Sequence, residues 1–129
     1  MNIPADLKYT KEHEWIKLDG DIATIGITDY AQSELGELVY VEVDTIDDEL
    51  AQNEVFGTVE AVKTTSDLFM PLAGKVLEMN PELDEDEGDN PTAVNEDPYG
   101  KGWIIKVKVA NKAEFDGLLD AEAYQSLIS

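Results

Sequence analysis

Apolar and polar residues alternate through much of the first third of the chain. Tyr9 to Leu18 mixes aromatic and β-branched residues with charges and stops at Asp19-Gly20, a strong turn pair, before Ile22-Ala23-Thr24-Ile25-Gly26-Ile27 resumes the alternation. That pattern predicts a β-hairpin. Thr28 or Asp29 suits the N-cap of a short helix through Tyr30, Ala31, Ser33, Glu34 and Leu35, closed by Gly36. Leu38 to Val43 is a strand by β-propensity. From Val55 to Met79 two strands of mixed apolar character are interrupted by Lys63-Thr64-Thr65-Ser66-Asp67, with a second turn at Ala73-Gly74-Lys75. Pro71 places the second of these strands at a sheet edge, because proline cannot donate to the ladder.

The remaining third changes character. Residues 82–91 are dominated by acids and carry no apolar periodicity, which reads as a solvated loop. Trp103 to Val109 is the last clear strand, and Ala113 to Leu119 and Ala121 to Ile128 show helical spacing with Asp120 as a cap between them. Many short strands with small helices at about 112–128 indicate an all-β core, a barrel or flattened sandwich decorated by helices. A length of 129 residues suits one domain over 1–129.

Charge narrows the partners. Twenty-nine acidic residues face nine basic ones, all lysine, for a formal net charge of -20, so nucleic acid would be repelled and basic protein patches attracted. There are no cysteines, so any redox sulfur must be brought in from outside the polypeptide. The N-terminus lacks both a basic start followed by an apolar run and an Arg-rich amphipathic stretch, and no segment approaches a membrane span, which points to a cytoplasmic protein.

The stretch richest in candidate chemistry is Gly57 to Gly74, which sets Lys63 at the tip of a connection between two strands among small polar neighbours. Taken alone, Lys63 reads as an ordinary solvated turn lysine. Its surroundings, however, resemble the lipoylation segment of the glycine cleavage H-protein family. Val59-Glu60-Ala61-Val62-Lys63, Ser66-Asp67, Gly74, Val76 and Asn80 match that segment, with Ala61, Thr64 and Ala73 as mild departures. Lys8-Tyr9, His13-Glu14-Trp15, Ile25-Gly26-Ile27-Thr28, Ala31-Gln32, Leu35-Gly36, Val94 to Tyr99 and Gly102-Trp103 follow in family order, so the resemblance covers nearly the whole chain. Biotin carriers, which usually flank their lysine with methionines, and 2-oxo acid dehydrogenase lipoyl domains, which usually read Asp-Lys-Ala, fit less well.

The resemblance implies a lipoyl/biotinyl-type flattened hybrid barrel-sandwich and a non-catalytic carrier with lipoic acid amide-linked to Lys63. It implies three catalytic partners. A pyridoxal-phosphate glycine decarboxylase loads an aminomethyl group, a tetrahydrofolate-dependent aminomethyltransferase unloads it, and a dihydrolipoyl dehydrogenase using FAD and NAD restores the disulfide. A lipoylating enzyme would read Glu60 and Gly74, which sit at the family's offsets from the lysine. Glu14 and Asp67, with Glu12, are expected to receive the amine of the loaded arm, and the carrier is expected to be a monomer. The competing readings are a lipoyl relay protein that hands lipoate to other enzymes, and a small acidic metal-binding or interaction protein with Lys63 unmodified. His13, the sole histidine, reads as structural beside Trp15. Asp84, Asp86, Gly88 and Asp89 lack the full ligand spacing of a calcium loop.

Overall fold

The computed structural model describes residues 2–129. Strand β1 (Lys8–Tyr9) pairs antiparallel with β2 (Glu14–Asp19), and β2 pairs with β3 (Ile22–Ile27). The β2–β3 turn is Gly20-Asp21, with Gly20 at φ 64°, a conformation that glycine adopts without steric cost. Helix α1 (Asp29–Leu35) begins at Thr28, whose hydroxyl accepts the Ala31 amide at 3.1 Å, and ends at Gly36 with φ 83°. Next come β4 (Leu38–Glu42), β5 (Glu49–Leu50), β6 (Val55–Ala61), β7 (Thr65–Phe69) and β8 (Gly74–Met79). Helix α2 (Ala93–Glu96), β9 (Ile105–Val109), α3 (Ala113–Asp116) and α4 (Ala121–Ile128) complete the chain.

The strands form two antiparallel sheets, six-stranded β1-β2-β3-β9-β8-β5 and three-stranded β4-β6-β7. Apolar residues from both sheets, including Ile25, Val107 and Val76 from the larger and Val41, Val59 and Leu68 from the smaller, share one buried core. This is the flattened barrel-sandwich with small helices that the strand pattern predicts. A second cluster, Leu7, Tyr9, Trp15 and Tyr124, lies beneath α4. Asp120 caps α4 by accepting the Ala123 amide at 2.8 Å, as its place in the sequence suggests.

Four sequence expectations need correction. Tyr9 to Leu18 is not one strand. The chain folds back between β1 and β2, with the His13 amide donating to the Thr10 carbonyl and His13 at φ 70°, while the apolar pattern runs on because both strands face the core. The interruption at Lys63 is shorter than the polar run implies, since Thr65, Ser66 and Asp67 already belong to β7. Ala73-Gly74-Lys75 is not a turn, because Gly74 opens β8 and the reversal falls at Met70–Ala73. Pro71 accordingly lies in that connection and not in a strand, although β7, the strand that leads into it, does stand at the edge of its sheet. The two-residue β5 and the four-residue α2 were not anticipated, being too short for periodicity to mark. Residues 82–91 do form an exposed loop of turns, pinned by the burial of Leu83 and by Asn80, whose side-chain amide donates to the Lys101 and Trp103 carbonyls.

Candidate functional site

Strands β6 and β7 form a hairpin whose last rung is Glu60 opposite Thr65. The Ala61 amide donates to the Thr64 carbonyl at 2.7 Å, leaving Val62 and Lys63 as the tip. A second bond, from the Val62 amide to the Glu37 carbonyl at 3.2 Å, leans the tip on the connection between α1 and β4. Lys63 is exposed and has no hydrogen bond or ion pair among the described residues. Its Cε lies 3.8 Å from the point a Cβ on Gly36 would occupy, so the aliphatic stem crosses a bare patch of backbone. An amine held in water at a hairpin tip is chemically open to acylation.

Glu60 is exposed one rung below the tip. Gly74 is not beside Lys63, because five residues of β7 carry the chain roughly 17 Å away from the tip before β8 begins. Its constraint is packing: a Cβ there would lie 2.4 Å from the Lys108 carbonyl oxygen and from Val107 Cγ1, so only glycine lets β8 and β9 approach as they do.

The three acidic residues fall into two settings. Glu12 and Asp67 line one cleft of about 330 Å³ between α1 and β7, with His13, Tyr30, Glu34 and Leu35. Glu14 lines a neighbouring depression with Phe69 and Pro71, and Glu12 borders both. Glu14 is only 1% exposed; Oε1 accepts the Thr10 hydroxyl at 2.6 Å and Oε2 accepts the Phe69 amide at 3.2 Å. Burial pushes its carboxyl up to about 7, and those two hydrogen bonds oppose the rise only partly.

His13 is indeed built into the frame. Its Nδ1 lies 2.8 Å from the Tyr124 hydroxyl, which lies 2.7 Å from the Thr28 hydroxyl that caps α1. Burial lowers the histidine pKa while Glu12 and Glu34 pull it back up. No group of three or more His, Asp or Glu side chains is arranged to hold a metal among the described residues. No helix among them is long and apolar enough to cross a membrane.

A barrel-sandwich that offers one unpaired lysine at a hairpin tip, beside a cleft edged with carboxylates, has the form of a carrier domain for a lysine-linked arm. The family model described as glycine cleavage H-protein matches residues 7–129. Glycine cleavage system H proteins of Bacteroides fragilis and Bacteroides thetaiotaomicron are 57% and 55% identical to it over 129 residues, 100% of this chain and 99% of each relative. The crystal structure of a glycine cleavage system H protein from Mycobacterium marinum superposes with a TM-score of 0.83 at 35% identity, covering 96% of this chain and 97% of the other. The chain belongs to the glycine cleavage H-protein family. It is a lipoyl-bearing shuttle of glycine cleavage, a carrier and not itself a catalyst.

Sequence reasoning missed the support under the lysine. Gly36, the Glu37 carbonyl and Asn95 all meet there, and Tyr30 and Glu34 wall the cleft. Asn95 stood inside a matched motif, but only the fold shows what it touches.

Proposed function

We propose that lipoic acid is joined through an amide to Nζ of Lys63 and that the chain acts as one monomeric, cytoplasmic carrier domain over 1–129. The observation that carries this reading is the tip itself, where Lys63 stands exposed and unpaired on a hairpin closed directly beneath it. The lipoyl group would supply an exchangeable disulfide, a two-electron acceptor that this cysteine-free chain lacks. Lys63 would hold the arm's root and Glu60 would be read by the lipoylating enzyme beside it. Gly74 serves that recognition by setting the strand packing behind the hairpin.

The three catalytic partners in this reading are the pyridoxal-phosphate decarboxylase, the tetrahydrofolate-dependent aminomethyltransferase and the FAD- and NAD-dependent dihydrolipoyl dehydrogenase. Between stations the cargo ends in an amine, and burying a cation requires a compensating acceptor. Asp67 and Glu12 offer carboxylates in the α1–β7 cleft, and Glu14 adds a buried one just beyond Glu12. Asp67 and Glu12 would meet the amine first, with Glu14 in the neighbouring depression that Glu12 also borders.

The test is Lys63→Arg, read by intact mass after incubation with a lipoate ligase and by a reconstituted glycine cleavage assay. The variant should fold normally, gain no lipoyl mass and support no glycine cleavage. A lipoyl increment on the variant would refute the assignment of Lys63, and a modified wild type that is inactive in glycine cleavage would favour a lipoyl relay role.

A further inference from the structure

Helix α2 is short, yet it is firmly seated: Ala93 is 2% exposed and Val94 fully buried in the main core. The next residue, half-buried Asn95, uses its side chain on three groups at once. Its Oδ1 accepts the Leu38 amide at 3.0 Å, and its Nδ2 donates to the Gly36 carbonyl at 2.8 Å and to Gln32 Oε1 at 3.0 Å. Those contacts span the end of α1 and the start of β4, so both sides of Glu37 are fixed. Glu37 in turn presents the carbonyl that receives the Val62 amide, and Gly36 is the bare backbone over which the Lys63 stem lies.

We propose that Asn95 is a positioning residue for Lys63, fixing through Gly36, Glu37 and Val62 the direction in which the lysine leaves the hairpin. The inference rests on the reading that Lys63 is the attachment point. It follows from how few constraints the tip has. The Ala61–Thr64 bond closes the turn but does not orient it against the body, and the Val62–Glu37 bond joins it to a loop. A loop held only by backbone would move with the tip. Clamped by an amide that donates and accepts, it becomes a fixed rest. Aspartate at this position would keep the acceptor for Leu38 but would turn a carboxylate oxygen toward the Gly36 carbonyl, replacing attraction by repulsion.

The experiment compares wild type, Asn95→Asp, Asn95→Gln as the conservative variant, and Tyr124→Ala as a variant destabilised in the aromatic cluster beneath α4. Each is incubated with a lipoate ligase, lipoate and ATP, and attachment at Lys63 is located by peptide fragmentation, with rates normalised to the folded fraction. Asn95→Asp should slow attachment about tenfold, since small misplacements of a reacting group cost one to two orders of magnitude. Labelling of Lys63 by a small amine-reactive ester should stay unchanged, because the lysine remains exposed. Hydrogen exchange at the Val62 amide should quicken while that at Ile25 and Val107 in the core does not. Asn95→Gln should recover part of the rate, and Tyr124→Ala should attach at the wild-type rate per folded molecule. Equal attachment rates for wild type and Asn95→Asp, unaltered Val62 exchange, or equal slowing by Tyr124→Ala would each overturn the inference. Absence of lipoyl mass at Lys63 in the wild type would instead overturn the attachment reading on which it stands.

Discussion

The hairpin tip and the aromatic clasp beneath α4 are opposite solutions within one small chain. At the tip, Val62, Lys63 and Thr64 are all exposed, and two backbone hydrogen bonds hold the turn. In the clasp, Tyr9 and Tyr124 are fully buried and stacked at 4.8 Å, Trp15 lies against Tyr99, and the Trp15 indole donates to the Pro98 carbonyl at 2.9 Å. If Lys63 is the attachment point proposed above, other proteins must reach it, which forbids packing at the lysine and shifts the work of stability elsewhere. The contrast teaches that function and stability are separable here, so each can be broken without the other.

The largest stability effect should come from the clasp. Tyr124→Ala would leave a cavity between α4, β1 and β2 and strip partners from His13 and Thr28, at a cost of about 3–5 kcal/mol. Chemical denaturation should show this loss, whereas Lys63→Arg at the tip should leave the midpoint where it is.

Glu14, sealed between the two regions, makes stability depend on pH. Its folded carboxyl is raised to about 7 from an ordinary 4.5, so the folded chain holds that proton more tightly than the unfolded chain. The corresponding stability is fully present below about pH 4.5 and is lost as pH rises through about 7. The whole contribution is on the order of 3 kcal/mol. Glu14→Gln should flatten this component, seen as the difference between the two proteins' stability curves over that window.

Asp67 should have the smallest effect on folding. It is exposed on β7, so Asp67→Asn should change stability by no more than about 0.5 kcal/mol. Its expected effect is on retention: cargo held on the carrier should release ammonia faster without the transferase. A large loss of stability with unaltered release would move Asp67 from the cleft's function to the frame.

The hairpins, the Thr28 and Asp120 caps, the last strand and the β-rich class were legible because each rests on local chemistry: alternation, a capping oxygen, a glycine at positive φ. The Lys63 tip was legible too, from small polar neighbours between two apolar runs. Glu14 was not. Nothing in His13-Glu14-Trp15 shows that its carboxylate is sealed under Thr10 and Phe69, since Phe69 lies 55 positions away in sequence. Asn95 was opaque for the same reason, because its partners at Gln32, Gly36 and Leu38 are assembled only by folding. Gly74 invited a turn because glycine usually marks one, whereas here two backbones need the space.

The Glu14 carboxylate has a further effect on how the molecule keeps to itself. Strand β7 is the margin of the smaller sheet, and the Phe69 amide that Glu14 accepts belongs to a strand with no paired neighbour on its outer side among the described residues. Margins of this kind are templates on which other chains add strands and polymerise. Glu14 occupies one of the template's donors, and Asp67 sets a charge two residues along it. An incoming strand would therefore find one donor already taken and a negative charge beside it.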